Sequence, residues 1–139
     1  MTLFLDRDQV REVLAWDTLI PAMREALIAF SAGRVQQPVR QTLEVAEEGG
    51  FFLLMPAVSQ AMGVKLVTFY PGNADRDLHT HHAMIMLFER ATGVPLAVMD
   101  GGLITEMRTA AVSAVATDLL AAPEARVLAV LGSGVQARS

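Results

Sequence analysis

The chain has 139 residues, 53% of them hydrophobic and 19% charged, with a net charge of −4 and no cysteine. That is the composition of one folded domain of ordinary size, not of a disordered segment. It excludes disulfides, thiolate metal sites and cysteine nucleophiles, and it offers no basic block for nucleic acid.

The N-terminus "MTLFLDRDQVREVL" lacks a basic region followed by an apolar run, so it is not a secretory signal. No apolar stretch is long enough to span a bilayer. A cytoplasmic protein is expected. Asp6 or Asp8 can cap a short helix carrying Val10, Val13 and Leu14. Asp17 can cap a second helix, "DTLIPAMREALIAFSAG", which Gly33 ends. Pro21 is tolerable only in the first turn or so of that helix.

From Gln37 the pattern turns to strands. "VRQTLEV" alternates like a half-buried strand, and "GGFFLLMPAV" is a short apolar run bounded by Gly50 and Pro56. "VKLVTFYPGN" is β-branched and aromatic, apolar on both faces, and expected to be covered on both. "HAMIMLFERATGVPLAVMDGG" reads as two strands around a hairpin at "ERATG". An alanine-rich helix follows in "ITEMRTAAVSAVATDLLAAP", with Thr105 as a candidate cap and Pro123 beyond its end. "ARVLAVLGSG" then starts another strand. The expected class is α+β: N-terminal helices and a mainly antiparallel sheet, followed by the first strand of a second unit.

Two cations stand out from their pattern. At about 100° per residue, Ile104, Ala111, Val112, Val115 and Leu119 lie within roughly 60° of Arg108, while Glu106, Ser113 and Thr117 take the opposite face. A guanidinium inside an apolar stripe needs an anion. It is either a structural ion pair or a site for a carboxylate or phosphate. Lys65 shares a strand face with Val67 and Phe69, and either snorkels from a strand end or serves a site. Arg40, on a face with Thr42 and Glu44, reads as a surface residue. His79, His81 and His82, near Asp75 and Asp77, invite a zinc reading. Adjacent strand residues point to opposite faces, however, so a loop leading into a strand is favoured and no metal is assigned.

The C-terminal "GSGVQA" has the G-x-G-x-x-A pattern directly behind an apolar run. Gly132 and Gly134 would allow a tight turn against a pyrophosphate, and Ala137 close helix packing.

"QPVRQTL", "GVKLVTFYPGN", "HHAMIMLFERATGVPLAVMDGGLIT", "RTAAVSAVATDLLA" and "VLAVLGSGVQA", in this order, resemble the N-terminal part of the ornithine cyclodeaminase/mu-crystallin family. The resemblance covers essentially the whole chain. It implies a substrate-binding and dimerising domain over 1–124 and the start of a truncated Rossmann domain over 125–139, with NAD or NADP as cofactor. The implied activity is oxidoreduction at a C–N bond: cyclodeamination, ketimine reduction or amino-acid dehydrogenation. The implied partners are a small amino-acid or imine substrate and a second copy joined through the sheet.

Residue by residue, the resemblance makes Arg40, Lys65 and Arg108 substrate-binding. In the field of the other two cations and partly desolvated, Lys65 is expected to have a lowered pKa and to be catalytic, exchanging a proton with the substrate nitrogen. Thr80, His81 and Arg108 would contact the cofactor, and Gly132, Ser133, Gly134, Val135 and Gln136 would form its pyrophosphate turn. The family's catalytic aspartate has no counterpart in this chain. Three cations at one cavity would fix an α-carboxylate and favour the electron-rich side of hydride transfer. The chain alone is expected to bind coenzyme weakly or not at all. The competing expectation is a non-enzymatic module that dimerises or holds a small carboxylate with the same domain.

Overall fold

A computed structural model describes residues 1–139. The elements in chain order are β1 (Leu3–Leu5), α1 (Arg7–Val13), α2 (Trp16–Ser31), β2 (Gln41–Val45), β3 (Gly50–Val58), β4 (Met62–Phe69), β5 (His81–Phe88), β6 (Pro95–Asp100), α3 (Gly101–Leu120) and α4 (Val135–Arg138). The strands form one six-stranded sheet in the order β1-β6-β5-β4-β3-β2. From β2 to β6 it is an antiparallel meander, and β1 joins β6 in parallel. The α+β reading holds, with helices and sheet where composition and periodicity put them. β1 is the addition: three residues pair Leu3, Phe4 and Leu5 with Ala97, Val98 and Met99.

Local chemistry explains most boundaries. Asp6 caps α1, accepting from the backbone N–H of Asp8 and Gln9 at 3.0 and 2.9 Å. The Gln9 side chain returns the bond to the Asp6 N–H, which closes a capping box. Gly33, at φ +70°, ends α2 as expected. Asp17 does not cap that helix. α2 begins at Trp16 behind Ala15, which makes no side-chain cap bond, and Asp17 lies in the first turn, where its charge still suits the positive helix end. The earlier start carries Pro21 past the first turn into the helix body.

The alanine-rich helix also starts early. Asp100, not Thr105, is its N-cap, accepting from the Leu103 N–H at 2.8 Å. Asp100 thus both ends β6 and caps α3, and Gly101 and Gly102 open the first turn of the helix. The reason is a close approach. A Cβ on Gly101 would lie 2.9 Å from both the carbonyl carbon and the Cβ of Ala83 on β5. Gly102 has nothing nearer than 3.5 Å. Gly101→Ala is expected to push α3 off β5 and cost about 1–3 kcal/mol, whereas Gly102→Ala is neutral or mildly stabilising. Thermal midpoints of the two variants check this; equal midpoints would show that the approach is not limiting.

The register assigns the sheet two faces. Val67, Ala83 and Ala97 share one, and all three are buried. α1 and α3 cover that face, burying Val10, Leu103, Ala111 and Val115, and α2 packs on the outer side of α3. Leu119, expected on the apolar stripe, is exposed in the last turn of α3, as is Leu120. The opposite face, with Phe4, Leu43 and Met84, is not covered within the chain. The expectation of cover on both sides of β4 is thus met on one side only. No helix is long and apolar enough to cross a membrane.

The strand expected in "ARVLAVL" does not form. Residues 125–134 make no ladder, and Val127, Leu128 and Leu131 are exposed. A β-strand is defined by its hydrogen-bonded neighbour, and neither edge strand of this sheet, β1 or β2, pairs with this segment. The glycine turn is nevertheless shaped. Gly132 has φ +104°, in the region that favours glycine, and Gly134 is the N-cap residue of α4.

Candidate functional site

Lys65 is the only lysine of the chain. It lies in the middle of β4, not at its end, with Met55 opposite on β3 and Ile85 opposite on β5. It sits on the face that α3 covers, so its stem is packed and its amine is half-buried. This excludes simple snorkelling from a strand end. Burial, then Arg108, then Arg40 push its pKa below the ordinary lysine value.

Arg108, on the helix over this face, and Arg40, just before β2, are the two cations near enough to Lys65 to disfavour its charge. Arg40 is exposed, as its alternation suggested. Its face is nonetheless the face of Lys65, because Thr42 pairs with Leu53 and Met55 with Lys65. Surface position and membership of the cation cluster are both true of it.

The ion pairs of the chain run elsewhere. Arg7 bonds Glu106 at 2.8 Å and approaches Asp100 at 3.9 Å. Arg11 bonds Asp8, and Arg24 bonds Asp118. None includes Arg40, Lys65 or Arg108. The structural ion pair considered for Arg108 is therefore absent, and three positive charges converge without a carboxylate among them. Glu106, read as solvent-facing, instead ties α3 to the start of α1 through Arg7.

Lys65 has one polar partner. Its Nζ donates to Thr105 Oγ1 at 3.4 Å, and that hydroxyl donates in turn to the Gly101 carbonyl at 2.7 Å. Thr105, a cap candidate by sequence, is thus part of the site. Spacing contained the signal, since Thr105 and Arg108 are three apart on one helix and share a side of it.

A cleft of about 890 Å³ adjoins Lys65 through its partner Thr105, while Arg40, Lys65 and Arg108 are not themselves among its lining residues. Thr80, His81, Thr105, Glu106, Val135 and Gln136 are among its lining residues. Residues 71–79 form a compact loop closed by the Tyr70 N–H on the Thr80 carbonyl at 2.8 Å and by the Asn73 side chain on the His79 carbonyl at 2.9 Å. This places Thr80 and His81 at the cleft wall. Burial first, and then Lys65, lower the His81 pKa, which favours a neutral imidazole. His79 and His82 meet edge to face at 6.2 Å between ring centres, and no three His, Asp or Glu side chains are grouped as metal ligands. Gly132, Ser133 and Gly134 are exposed, while Val135 and Gln136 reach the cleft. A turn with Gly132 at positive φ and a helix start behind it fits the phosphate end of a dinucleotide.

The ornithine cyclodeaminase/mu-crystallin family model matches residues 1–139. The rat ketimine reductase mu-crystallin is 47% identical over 98% of this chain and 46% of its own length. The Thermococcus litoralis Δ1-pyrroline-2-carboxylate reductase, solved with NADH and L-proline, superposes with a TM-score of 0.91 at 36% identity, over 99% of this chain and 43% of that one. An archaeal alanine dehydrogenase dimer with bound NAD superposes with a TM-score of 0.92 at 35% identity, over 99% and 42%. The chain spans about half the length of the curated relatives it matches, 46% for the rat protein.

Proposed function

The chain belongs to the ornithine cyclodeaminase/mu-crystallin family, and from that premise we propose that it is the substrate-binding part of an NAD(P)-dependent oxidoreductase acting on the C–N bond of a small amino acid or cyclic imine. One observation carries the reading: Lys65, half-buried and acted on by Arg108 and Arg40 with no ion-pair partner, bonds Thr105, which lines a cleft that Val135 and Gln136, just behind the glycine turn, also line. Unpaired cations around a half-buried amine repel one another, and an incoming carboxylate relieves that repulsion.

In this reading Arg108 and Arg40 hold the substrate carboxylate, Arg108 through two parallel hydrogen bonds. Lys65, with its lowered pKa, gives or takes the proton at the substrate nitrogen. Thr80, His81 and Arg108 face the nicotinamide end of the cofactor. Gly132, Ser133, Gly134, Val135 and Gln136 hold its pyrophosphate. The nicotinamide, when bound, supplies the hydride chemistry. Residues 1–124 form the substrate and dimerisation domain, and 125–139 begin the nucleotide domain. The uncovered apolar sheet face is the surface on which two copies join. The dimeric alanine dehydrogenase supports that assignment as a likeness.

The test is NADH and NADPH oxidation by the intact protein with Δ1-pyrroline-2-carboxylate. Turnover is expected with one of the two coenzymes. Absence of turnover with this imine, with L-alanine and NAD, and with L-ornithine or L-lysine would overturn the enzymatic reading. Carboxylate binding without turnover would then favour the non-catalytic module. The 139-residue chain alone is expected to bind NADPH weakly or not at all; micromolar affinity would show that its turn suffices for binding.

A further inference from the structure

Thr105 stands where the two halves of the site meet. It is the polar partner of Lys65, and it also lines the cleft with His81, Val135 and Gln136. Its hydroxyl has one proton, and that proton is committed to the Gly101 carbonyl at 2.7 Å. The oxygen therefore meets Lys65 as an acceptor only. An acceptor-only contact holds the amine by one N–H. It leaves the remaining N–H groups, and in the neutral form the lone pair, on the side away from Thr105.

Resting on the functional reading above, we propose that Thr105 is a positioning residue that orients the Lys65 amine toward the substrate nitrogen. At 3.4 Å the contact is a weak hydrogen bond, but it is the one polar contact that Lys65 makes. The arrangement comes from the close seat of α3. Gly101 lets the helix touch β5, which puts its fifth residue, Thr105, above Lys65 and its Gly101 carbonyl within reach of the same hydroxyl. The helix gains little from the Thr105 to Gly101 bond, since this type of back-bonding is neutral or slightly destabilising. Its geometric effect falls on Lys65.

The test compares Thr105→Val, which keeps the shape and removes the acceptor, with Thr105→Ser, which keeps the acceptor. The intact protein carries ε-¹³C-labelled lysine, and the Lys65 signal is assigned by its loss in Lys65→Met. The charged groups facing this amine are Arg108 from α3, Arg40 from the approach to β2, and His81 from β5. All are unchanged in both variants. Thr105→Val is expected to move the Lys65 titration to lower pH, because the ammonium loses an acceptor. It should lower kcat for imine reduction about tenfold with KM within about twofold. Thr105→Ser should return both readouts most of the way to wild type. An unchanged Lys65 titration in Thr105→Val, or no recovery in a folded Thr105→Ser, overturns the proposal. If Thr105→Val does not fold, Thr105→Ala takes its place with the same expectations. A titration that moves with Thr105→Val and returns with Thr105→Ser, in a protein that reduces no imine, supports the placement of Lys65 and overturns the enzymatic reading instead.

Discussion

Arg108→Leu is expected to lower kcat/KM for a cyclic imino acid by about a thousandfold in the intact protein, equivalent to about 4 kcal/mol. The leucine keeps most of the side-chain volume on α3 but removes the two parallel donors that a carboxylate needs. Arg108→Lys keeps the charge and loses the planar fork, so a loss of about thirtyfold is expected. The unliganded protein should respond in the opposite sense. Arg108 is one of the charges that disfavour the Lys65 ammonium, and no carboxylate offsets it. Arg108→Leu should therefore raise the thermal midpoint of the ligand-free protein and should abolish the rise expected from L-proline in wild type if the proposed carboxylate site is correct. Steady-state kinetics and thermal scans with and without L-proline test both parts. Activity within about threefold of wild type would remove Arg108 from the carboxylate site.

The second large effect is at Lys65. Lys65→Met should reduce imine turnover by about a hundred- to a thousandfold and remove the pH dependence that the amine imposes on kcat/KM. The stability consequence has a definite sign. A lysine in an unfolded chain titrates near about 10.4. In the folded protein the amine titrates lower, because burial and then Arg108 and Arg40 disfavour its charge. Between the two values the unfolded chain holds more protons, so wild-type stability rises with pH across that window. Below the window the charged amine is a destabilising burden. Lys65→Met should thus be more stable than wild type at neutral pH, and the advantage should vanish once pH exceeds about 10.4. Thermal scans from neutral to alkaline pH check the slope. A methionine variant that is less stable at neutral pH and keeps the wild-type slope would show that Lys65 is not the strained group. A saturating carboxylate ligand should shrink the advantage by restoring a counter-charge to the cluster.

Both predictions describe a site that costs the unliganded fold stability and recovers it on binding. Loss of fold stability at functional positions is common, because groups placed for a ligand lack partners without it. The open sheet face adds a second such cost. Phe4, Leu43 and Met84 are exposed on it, and an uncovered apolar face of this kind is costly in solvent until something covers it.

Much of this was legible in the linear chain. The strand meander followed from alternation and turn residues, and the structure reproduces it from Gln41 to Asp100. Asp6 and Gly33 mark helix ends because capping and positive φ are local chemistry. Lys65 and Arg108 stood out because each is a charge on a face whose other positions are apolar, a contrast that periodicity alone reveals. The ordered motifs around them identified the family.

The order of elements, the faces of the strands, two of the three cations and the family were thus readable from local pattern. The tertiary structure decided the rest. Arg40 is ordinary in its own segment, just before β2, and comes near Lys65 only because β2 pairs with β3, whose next neighbour carries Lys65. Thr105 meets Lys65 across 40 positions of chain, and no local pattern records that contact. The start of α3 depends on how closely Gly101 approaches Ala83. Residues 126–131 have the composition of a strand and form none, because a ladder needs a partner edge that these residues do not meet. Local patterns report what a side chain and its own backbone prefer; pairing, close approach and convergent charge are properties of segments brought together, and only folding supplies them.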